Sequence, residues 1–149
     1  MQLNLPEFEI KTRKTETGKT EVFDAIRKKY IVLTPEEWVR QHFLNYLINI
    51  KGYPSSLIAV EKGLTLNQMQ KRFDAVIYDT KRKPLVLIEF KSPKVKLDQK
   101  TFDQVSRYNL KMKVNYLMVS NGLIHYCCRM DYEKQKFIFL KEIPAFVEL

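Results

Sequence analysis

The stretch from Arg72 to Ser92, RFDAVIYDTKRKPLVLIEFKS, decides the fold of the chain. It predicts two β-strands, Phe73–Asp79 and Pro84–Lys91, around a charged turn, because both segments are rich in Val, Ile, Leu, Tyr and Phe. The second segment is apolar on both faces until its end, which is typical of a buried central strand. It ends with two charged residues, Glu89 and Lys91, which strand alternation places on the same face.

The turn of this hairpin predicts its register. If residues 80–83 form the loop, Tyr78 lies opposite Leu85 and Asp74 lies opposite Glu89. Opposed side chains have their Cβ atoms roughly 5 Å apart, and like charges at that distance are destabilising, especially when they are buried. A divalent cation relieves the repulsion, because hard cations bind carboxylate oxygens. The other interpretation is an exposed acid pair with the nearby lysine as counter-ion, and the apolar run before Glu89 disfavours it.

Two short motifs carry a resemblance to a known class of enzyme. Asp74, followed after fourteen residues by Glu89–Lys91, resembles the PD-(D/E)xK nuclease motif, with Phe73 where the motif has proline. Gln104 and Tyr108 resemble the Q-x-x-x-Y motif, which lies on the following helix in one branch of these nucleases.

The wider order of segments is similar to the N-terminal nuclease domain of type I restriction enzyme R subunits, and to small stand-alone proteins built on that domain. The resemblance covers roughly Phe23 to Phe139, and this chain has no motor domain. It implies an α/β (α+β) protein with a restriction-endonuclease-like fold, in which helices flank a mixed central sheet. The alternation of predicted strands and helices agrees with that architecture.

The resemblance implies a nuclease that depends on Mg²⁺, with Mn²⁺ as a possible substitute. Asp74 and Glu89 would hold the metal, and the main-chain carbonyl of Phe90 would be a further ligand. Lys91 would orient or help to activate the attacking water and stabilise developing negative charge. Glu61, on the strand before, is interpreted as facing solvent rather than joining the acids.

Helical residues add to the implied site. Gln104 and Tyr108 are four apart on a helix predicted from Gln99 to about Lys113, so they share a face and would position the substrate. The alternative is a pair on the helix surface. The first helix is predicted from Thr34 to about Ile50, and there the resemblance assigns Glu37 to the neighbourhood of the metal. A capping role for Glu37 is an equally good interpretation.

The chain is predicted to form a single nuclease-like domain, with residues 1–33 as an N-terminal hairpin and lead-in, 34–141 as the nuclease core and 142–149 as a tail. The hairpin comes from partial alternation in Leu5–Arg13 and Lys19–Ile26, with Gly18 at a left-handed position between them. The basic run that follows, Arg27–Lys29, is either a solvated surface or a phosphate contact.

Charge predicts the class of partner. The 149 residues contain 26 Lys and Arg against 17 Asp and Glu, which gives a net charge of +9. Such an excess favours a polyanion, and DNA is the expected partner, although solubility alone is the other explanation. A separate helicase or specificity subunit is a further expected partner.

Cysteine use and hydropathy indicate the compartment. Cys127 and Cys128 are adjacent, so they point to opposite faces of a strand and are expected to be reduced and packed. This favours a cytoplasmic protein. No apolar run is long enough to span a membrane and no signal peptide is evident, so no membrane partner is expected.

Two alternatives to a DNA nuclease stay open at this point. The first is a non-catalytic module on a nuclease fold, which binds nucleic acid or acts only with a partner. The complete set of Asp74, Glu89 and Lys91 disfavours it. The second is a nuclease for RNA or branched DNA. The sequence does not distinguish such an enzyme from the DNA nuclease favoured above.

Overall fold

Residues 2–149 are described by a computed structural model. In chain order the elements are β1 (Thr12–Lys14), β2 (Thr20–Asp24), β3 (Lys29–Val32), α1 (Pro35–Asn49), β4 (Ile58–Leu66), β5 (Met69–Tyr78), β6 (Pro84–Phe90), α2 (Gln99–Met112), β7 (Tyr116–Ser120), β8 (His125–Asp131) and β9 (Lys136–Phe139). Short 3-10 turns occupy Ser55–Leu57 and Phe146–Glu148.

The strands form two sheets. The larger has six strands in the order β4-β5-β6-β7-β8-β9, and only β6 and β7 run parallel, because α2 connects them as a crossover. This confirms the predicted mixed sheet with helices against it.

The smaller sheet contains the expected N-terminal hairpin and adds a third strand to it. It has three antiparallel strands in the order β1-β2-β3, with Gly18 at φ 82° in the first turn as predicted. The third strand, β3, begins at Lys29, within the basic run that the sequence suggested as a solvated surface or a phosphate contact. β3 pairs with β2, and its residues Tyr30, Ile31 and Val32 favour a strand.

Both helices begin at the predicted caps. The Thr34 hydroxyl accepts the Glu37 N–H at 3.0 Å, and Pro35 occupies the first helical position. Asp98 accepts the Thr101 N–H at 2.9 Å at the start of α2. The helices therefore begin where local sequence chemistry places them.

The helices cover opposite faces of the large sheet. On one face, Val39 and Phe43 of α1 pack in a cluster with Val86, Ile88 and Phe90 of β6; on the other, Phe102 and Val105 of α2 pack in a cluster with Leu87 and Phe73. Since Leu87 faces α2, alternation places Glu89 on the α2 side as well. The two cysteines divide in the same way: both are free and buried, Cys127 in the first cluster and Cys128 in the second.

The hairpin that holds the motif has the predicted register through most of its length. β5 pairs with β6 as Ala75 with Ile88, and continuing this ladder by one step brings Asp74 opposite Glu89. The expected pair of Tyr78 with Leu85 is wrong, because a register shift follows Ile77 and Tyr78 pairs with Pro84 instead. The irregularity lies at the turn, where Asp79 accepts backbone N–H groups of the loop, and leaves the acidic end intact.

β4 and β5 depart from regular geometry beside the acids. Their ladder pairs Val60 with Ala75 and Lys62 with Phe73, and the intervening Glu61 has φ 50°, which is unusual for a residue other than glycine. Phe73 and Val76 both pack in the α2 cluster although they are three positions apart. The strand alternation is therefore broken within this segment, and side chains before and after Asp74 reach the same face.

Among the described residues, no helix combines the length and the apolar character that crossing a membrane requires.

Candidate functional site

Asp74 is held by the backbone of the neighbouring strand. Its Oδ2 accepts the Phe90 N–H at 2.7 Å, so the carboxylate replaces the ladder partner that Phe90 would otherwise have. Its Oδ1 lies 3.9 Å from Nη2 of Arg40. These contacts place the Asp74 carboxylate beside Glu89–Lys91, as the sequence predicts.

Glu89 is a buried carboxyl group beside Asp74. Its side chain is 12% exposed, and the register of β5 and β6 brings Asp74 opposite it. Burial raises the pKa of Glu89 to about 7, and the negative charge of Asp74 contributes in the same direction. A carboxylate pair of this kind is stabilised by a cation.

Lys71 is the one cation in an ion pair with Glu89 among residues 2–149. Its ammonium donates to Oε1 of Glu89 at 2.7 Å. The same ammonium lies 4.3 Å from the centre of the Phe73 ring and 4.8 Å from the centre of the Tyr108 ring. Sequence reasoning missed Lys71, because regular alternation would place it and Asp74, three positions apart, on opposite faces. The broken alternation of β5 brings them to the same side.

The side chains of the remaining motif residues form no hydrogen bond or ion pair with Asp74 or Glu89 within residues 2–149. The Lys91 N–H donates to the Ser120 carbonyl, which extends the pairing of β6 and β7 by one residue. The Lys91 side chain is half-buried, and within residues 2–149 no carboxylate lies within 4.0 Å of its ammonium. Gln104 is exposed on α2, whereas Tyr108 is half-buried one turn further along. The Tyr108 ring contacts the Lys71 ammonium, which in turn contacts Glu89.

Glu37 enters a network of arginines on the other side of Asp74. It is buried, and its Oε1 lies 2.7 Å from Nη1 of Arg40 and 3.1 Å from Nη2 of Arg27. Its backbone takes part in the cap of α1 as predicted, but its carboxylate does not complete a capping box, because it turns to the arginines. Glu37 and Asp74 are linked through Arg40.

Glu61 is exposed, as the sequence interpretation expects, because 42% of its side chain is accessible, but it also forms ion pairs with arginines. Glu61 lies within 3.1 Å of Arg27, 3.5 Å of Arg40 and 3.6 Å of Arg72. Its unusual backbone conformation turns the side chain into this cluster, and sequence alone carries no signal for such a conformation. We call Glu37, Glu61, Arg27 and Arg40 the arginine network.

The donor set fits a hard divalent cation. Asp74 and Glu89 present carboxylate oxygens from adjacent strands, and the main chain of Phe90 lies between them through the Asp74 hydrogen bond. Within residues 2–149, no three His, Cys, Asp or Glu side chains group closely enough to hold an ion by themselves. Two carboxylates suit Mg²⁺, which keeps several waters and is usually bound through one or two protein carboxylates.

Comparisons with known proteins agree with this fold. The family model described as "Type I restriction enzyme R protein N terminus" matches residues 35–144, which is most of the chain. The chain belongs to this family. The match contains every residue that the sequence nominated for the site, from Glu37 to Tyr108.

One solved structure extends the comparison. It is a fragment described as an HsdR subunit of a type I restriction enzyme from Vibrio vulnificus YJ016, with a TM-score of 0.53 and 18% sequence identity. The alignment covers 76% of this chain and 24% of that one, so this R-protein N terminus spans about a quarter of its solved relative. At this identity the likeness shows the fold, and a comparison with curated proteins found no match.

Proposed function

We propose that this R-protein N terminus is a metal-dependent nuclease that hydrolyses phosphodiester bonds of DNA. One observation carries the proposal: Asp74 and Glu89 are paired, partly buried carboxyl groups, and the pKa of Glu89 is raised to about 7 by burial and by its neighbour. Titratable groups with strongly shifted pKa values cluster at functional sites, and two facing carboxylates provide oxygen ligands for a divalent cation. Membership of the R-protein family supports the same reaction class.

Asp74 and Glu89 would hold Mg²⁺ or Mn²⁺, with the Phe90 carbonyl as a third protein ligand. When bound, such an ion stabilises the charge of the phosphoryl group and lowers the pKa of a coordinated water. The protein keeps the first ligand in place: the Phe90 N–H fixes Asp74 Oδ2 at 2.7 Å, so this carboxylate is oriented before the ion arrives.

Lys91 would contribute charge without competing for the ion. Its ammonium has no carboxylate partner within 4.0 Å in the described part of the chain, and it projects from the end of β6 that carries Glu89. An unpaired ammonium at that position is available to a phosphate oxygen or to the attacking water. Gln104 and Tyr108 would contact the substrate from α2, Gln104 through its exposed amide and Tyr108 through its hydroxyl.

Basic residues beyond the site would supply the affinity for DNA. Five exposed cations follow β6 or lie on α2, namely Lys94, Lys96, Lys100, Arg107 and Lys111. Lys100, Arg107 and Lys111 lie on α2, which covers the face of the sheet that Glu89 faces. Contacts of this kind bind phosphates with little sequence preference and weaken as salt is raised.

The test is cleavage of linear and supercoiled DNA by purified protein with Mg²⁺ or Mn²⁺, beside the variants Asp74→Ala and Lys91→Ala. We expect cleavage that requires the metal and is lost in both variants, with circular dichroism showing that each remains folded. Single-stranded DNA and RNA in the same assay identify the substrate. Wild-type protein that binds DNA in a salt-dependent manner but never cleaves it contradicts the catalytic proposal.

A partner-dependent module is the second candidate function. This candidate is favoured because the alignment covers only 24% of the solved HsdR chain. In this case cleavage requires a separate helicase or specificity subunit. Affinity capture with the wild-type chain as bait, followed by the cleavage assay on the recovered complex, tests it: activity in the complex and none in the isolated chain supports this candidate.

A further inference from the structure

Lys71 already occupies one of the oxygens that the proposed metal site uses. Its ammonium donates to Glu89 Oε1 at 2.7 Å, a distance typical of a strong charge-assisted hydrogen bond. The two side chains are also poorly accessible to solvent, because Glu89 is only 12% and Lys71 only 22% exposed. Attraction and repulsion between charges are therefore weakly screened here.

The cations near the two acids differ in how they are engaged. Arg40 lies 3.9 Å from Asp74, beyond hydrogen-bonding distance, and its shorter contact is to Glu37 at 2.7 Å. Lys71 has no second acid: Glu89 is its one ion-pair partner within residues 2–149. The cation closest to the acid pair, which a bound metal would have to displace, is therefore Lys71 rather than an arginine.

We propose that Lys71 is an internal counter-ion that competes with the divalent metal for Glu89. The inference rests on the proposed function, since it takes Asp74 and Glu89 as the metal ligands. An ammonium 2.7 Å from a carboxylate oxygen lies where a bound ion would repel it, so metal binding displaces Lys71. In the metal-free protein the same ammonium offsets the repulsion between Glu89 and Asp74.

The surroundings of Lys71 allow this displacement. Its ammonium is bordered by the Phe73 and Tyr108 rings at 4.3 and 4.8 Å, and a cation on an aromatic face keeps part of its stabilisation when it loses an ion pair. The lysine stem is long and flexible, so the ammonium can turn away while the strand stays in place. Lys71 is thus a positioning residue that acts through Glu89.

The experiment measures Mn²⁺ binding without DNA, by isothermal titration calorimetry at pH 8.5, where Glu89 is ionised. Lys71→Met removes the charge and keeps the length of the side chain. Lys62→Met is the matched control, because Lys62 lies on the neighbouring strand, is exposed and forms no ion pair with any described residue. Lys71→Arg keeps the charge.

We expect Lys71→Met to bind Mn²⁺ about tenfold more tightly than wild type, since it removes a close positive charge. Lys62→Met and Lys71→Arg should bind within about twofold of wild type. A merely structural role for Lys71 would weaken metal binding in Lys71→Met, and this result, or equal affinities, overturns the inference.

Two further variants separate failure of this inference from failure of the proposed function. If Asp74→Asn abolishes Mn²⁺ binding while Lys71→Met matches wild type, the metal site stands and the competition is wrong. If Asp74→Asn and Glu89→Gln bind Mn²⁺ as wild type does, the proposed metal site is wrong, and the inference falls with it. Tighter binding by Lys71→Met with no cleavage by any variant supports the competition and contradicts only the catalytic proposal.

Discussion

The two acids of the candidate site are held in different ways. Asp74 accepts a backbone N–H at 2.7 Å and borders the arginine network, where arginines and acids contact one another repeatedly. Glu89 is more deeply buried and has one flexible lysine as its ion-pair partner. Backbone hydrogen bonds fix a carboxylate, whereas a lysine contact can be exchanged for another cation. At the proposed metal site, Asp74 would therefore be the pre-oriented ligand and Glu89 the adjustable one.

The largest expected effect is on cleavage, and it distinguishes Asp74, a proposed metal ligand, from Glu37 of the arginine network. Asp74→Asn preserves the shape of the side chain and its acceptor for the Phe90 N–H, but removes the charge that a metal requires. We expect metal-dependent cleavage to fall by more than about a thousandfold. Glu37→Gln should reduce it by about tenfold, because Glu37 acts on Asp74 only through Arg40.

Initial rates of plasmid nicking at saturating Mn²⁺ measure both variants. Equal losses in the two would place Glu37 among the ligands and remove the distinction between the acid pair and the arginine network. A wild-type rate in Asp74→Asn would contradict the assignment of Asp74.

The second effect concerns the stability of the arginine network. Arg40 is buried and contacts Glu37 at 2.7 Å, so Arg40→Met leaves an acid without its closest cation. Removing one partner of a buried ion pair is strongly destabilising, and we expect the free energy of unfolding to fall by about 3 kcal/mol. Arg107→Met is the control, because Arg107 is exposed on α2 and should change stability by less than about 0.5 kcal/mol.

Urea unfolding followed by circular dichroism compares the two arginine variants. A loss below about 1 kcal/mol in Arg40→Met would mean that solvent or Arg27 replaces the missing cation. The arginine network would then be a surface feature rather than a support for Asp74.

The third effect is a gain in stability at the other acid. The pKa of Glu89 is about 7 in the folded protein and 4.5 ordinarily, so the folded state binds more protons between these pH values. The free energy of unfolding therefore falls as pH rises from about 4.5 to 7, by on the order of 3 kcal/mol. Glu89→Gln has no charge to bury, which favours its folded state at pH 8, whereas the loss of the Lys71 ion pair acts in the opposite direction. We expect the variant to be about 2 kcal/mol more stable than wild type at pH 8.

Thermal unfolding of wild type and Glu89→Gln from pH 5 to pH 8 checks the sign of this effect. The wild-type curve should decline with pH and the variant's curve should stay flatter. Added Mn²⁺ should raise the wild-type melting temperature at pH 8 and leave that of Glu89→Gln nearly unchanged. A wild type that becomes more stable from pH 5 to pH 8 would contradict the raised pKa.

These differences mark the limit of what sequence reasoning predicts here. Alternation and turn length placed Asp74 beside Glu89, and capping residues placed both helices, because those signals are local or extend over a single hairpin. The ion pairs of Lys71 and Glu61 were missed because they depend on irregular backbone in β4 and β5, including the φ of 50° at Glu61. The third N-terminal strand was missed because its strand-favouring residues, Tyr30–Val32, form a run of only three beside a basic run.

The smallest expected effect on stability tests the helix side of the site. Gln104 is exposed on α2, whereas Tyr108 is half-buried and its ring borders the Lys71 ammonium. We expect Gln104→Ala to change the free energy of unfolding by less than about 0.5 kcal/mol, because an exposed side chain has little packing to lose. If Gln104 contacts the substrate, the same variant should raise KM or lower kcat for DNA cleavage by about tenfold.

Gln99→Ala is the matched control, since Gln99 is exposed on the first turn of α2 and its amide bonds only to Asp103 within the described residues. A Gln104→Ala variant with wild-type kinetics would reduce the Q-x-x-x-Y pair to Tyr108 and its contact with Lys71. In that case α2 would only pack against the face of the sheet that carries Glu89. Lys91 and the exposed cations that follow β6 would make the substrate contacts.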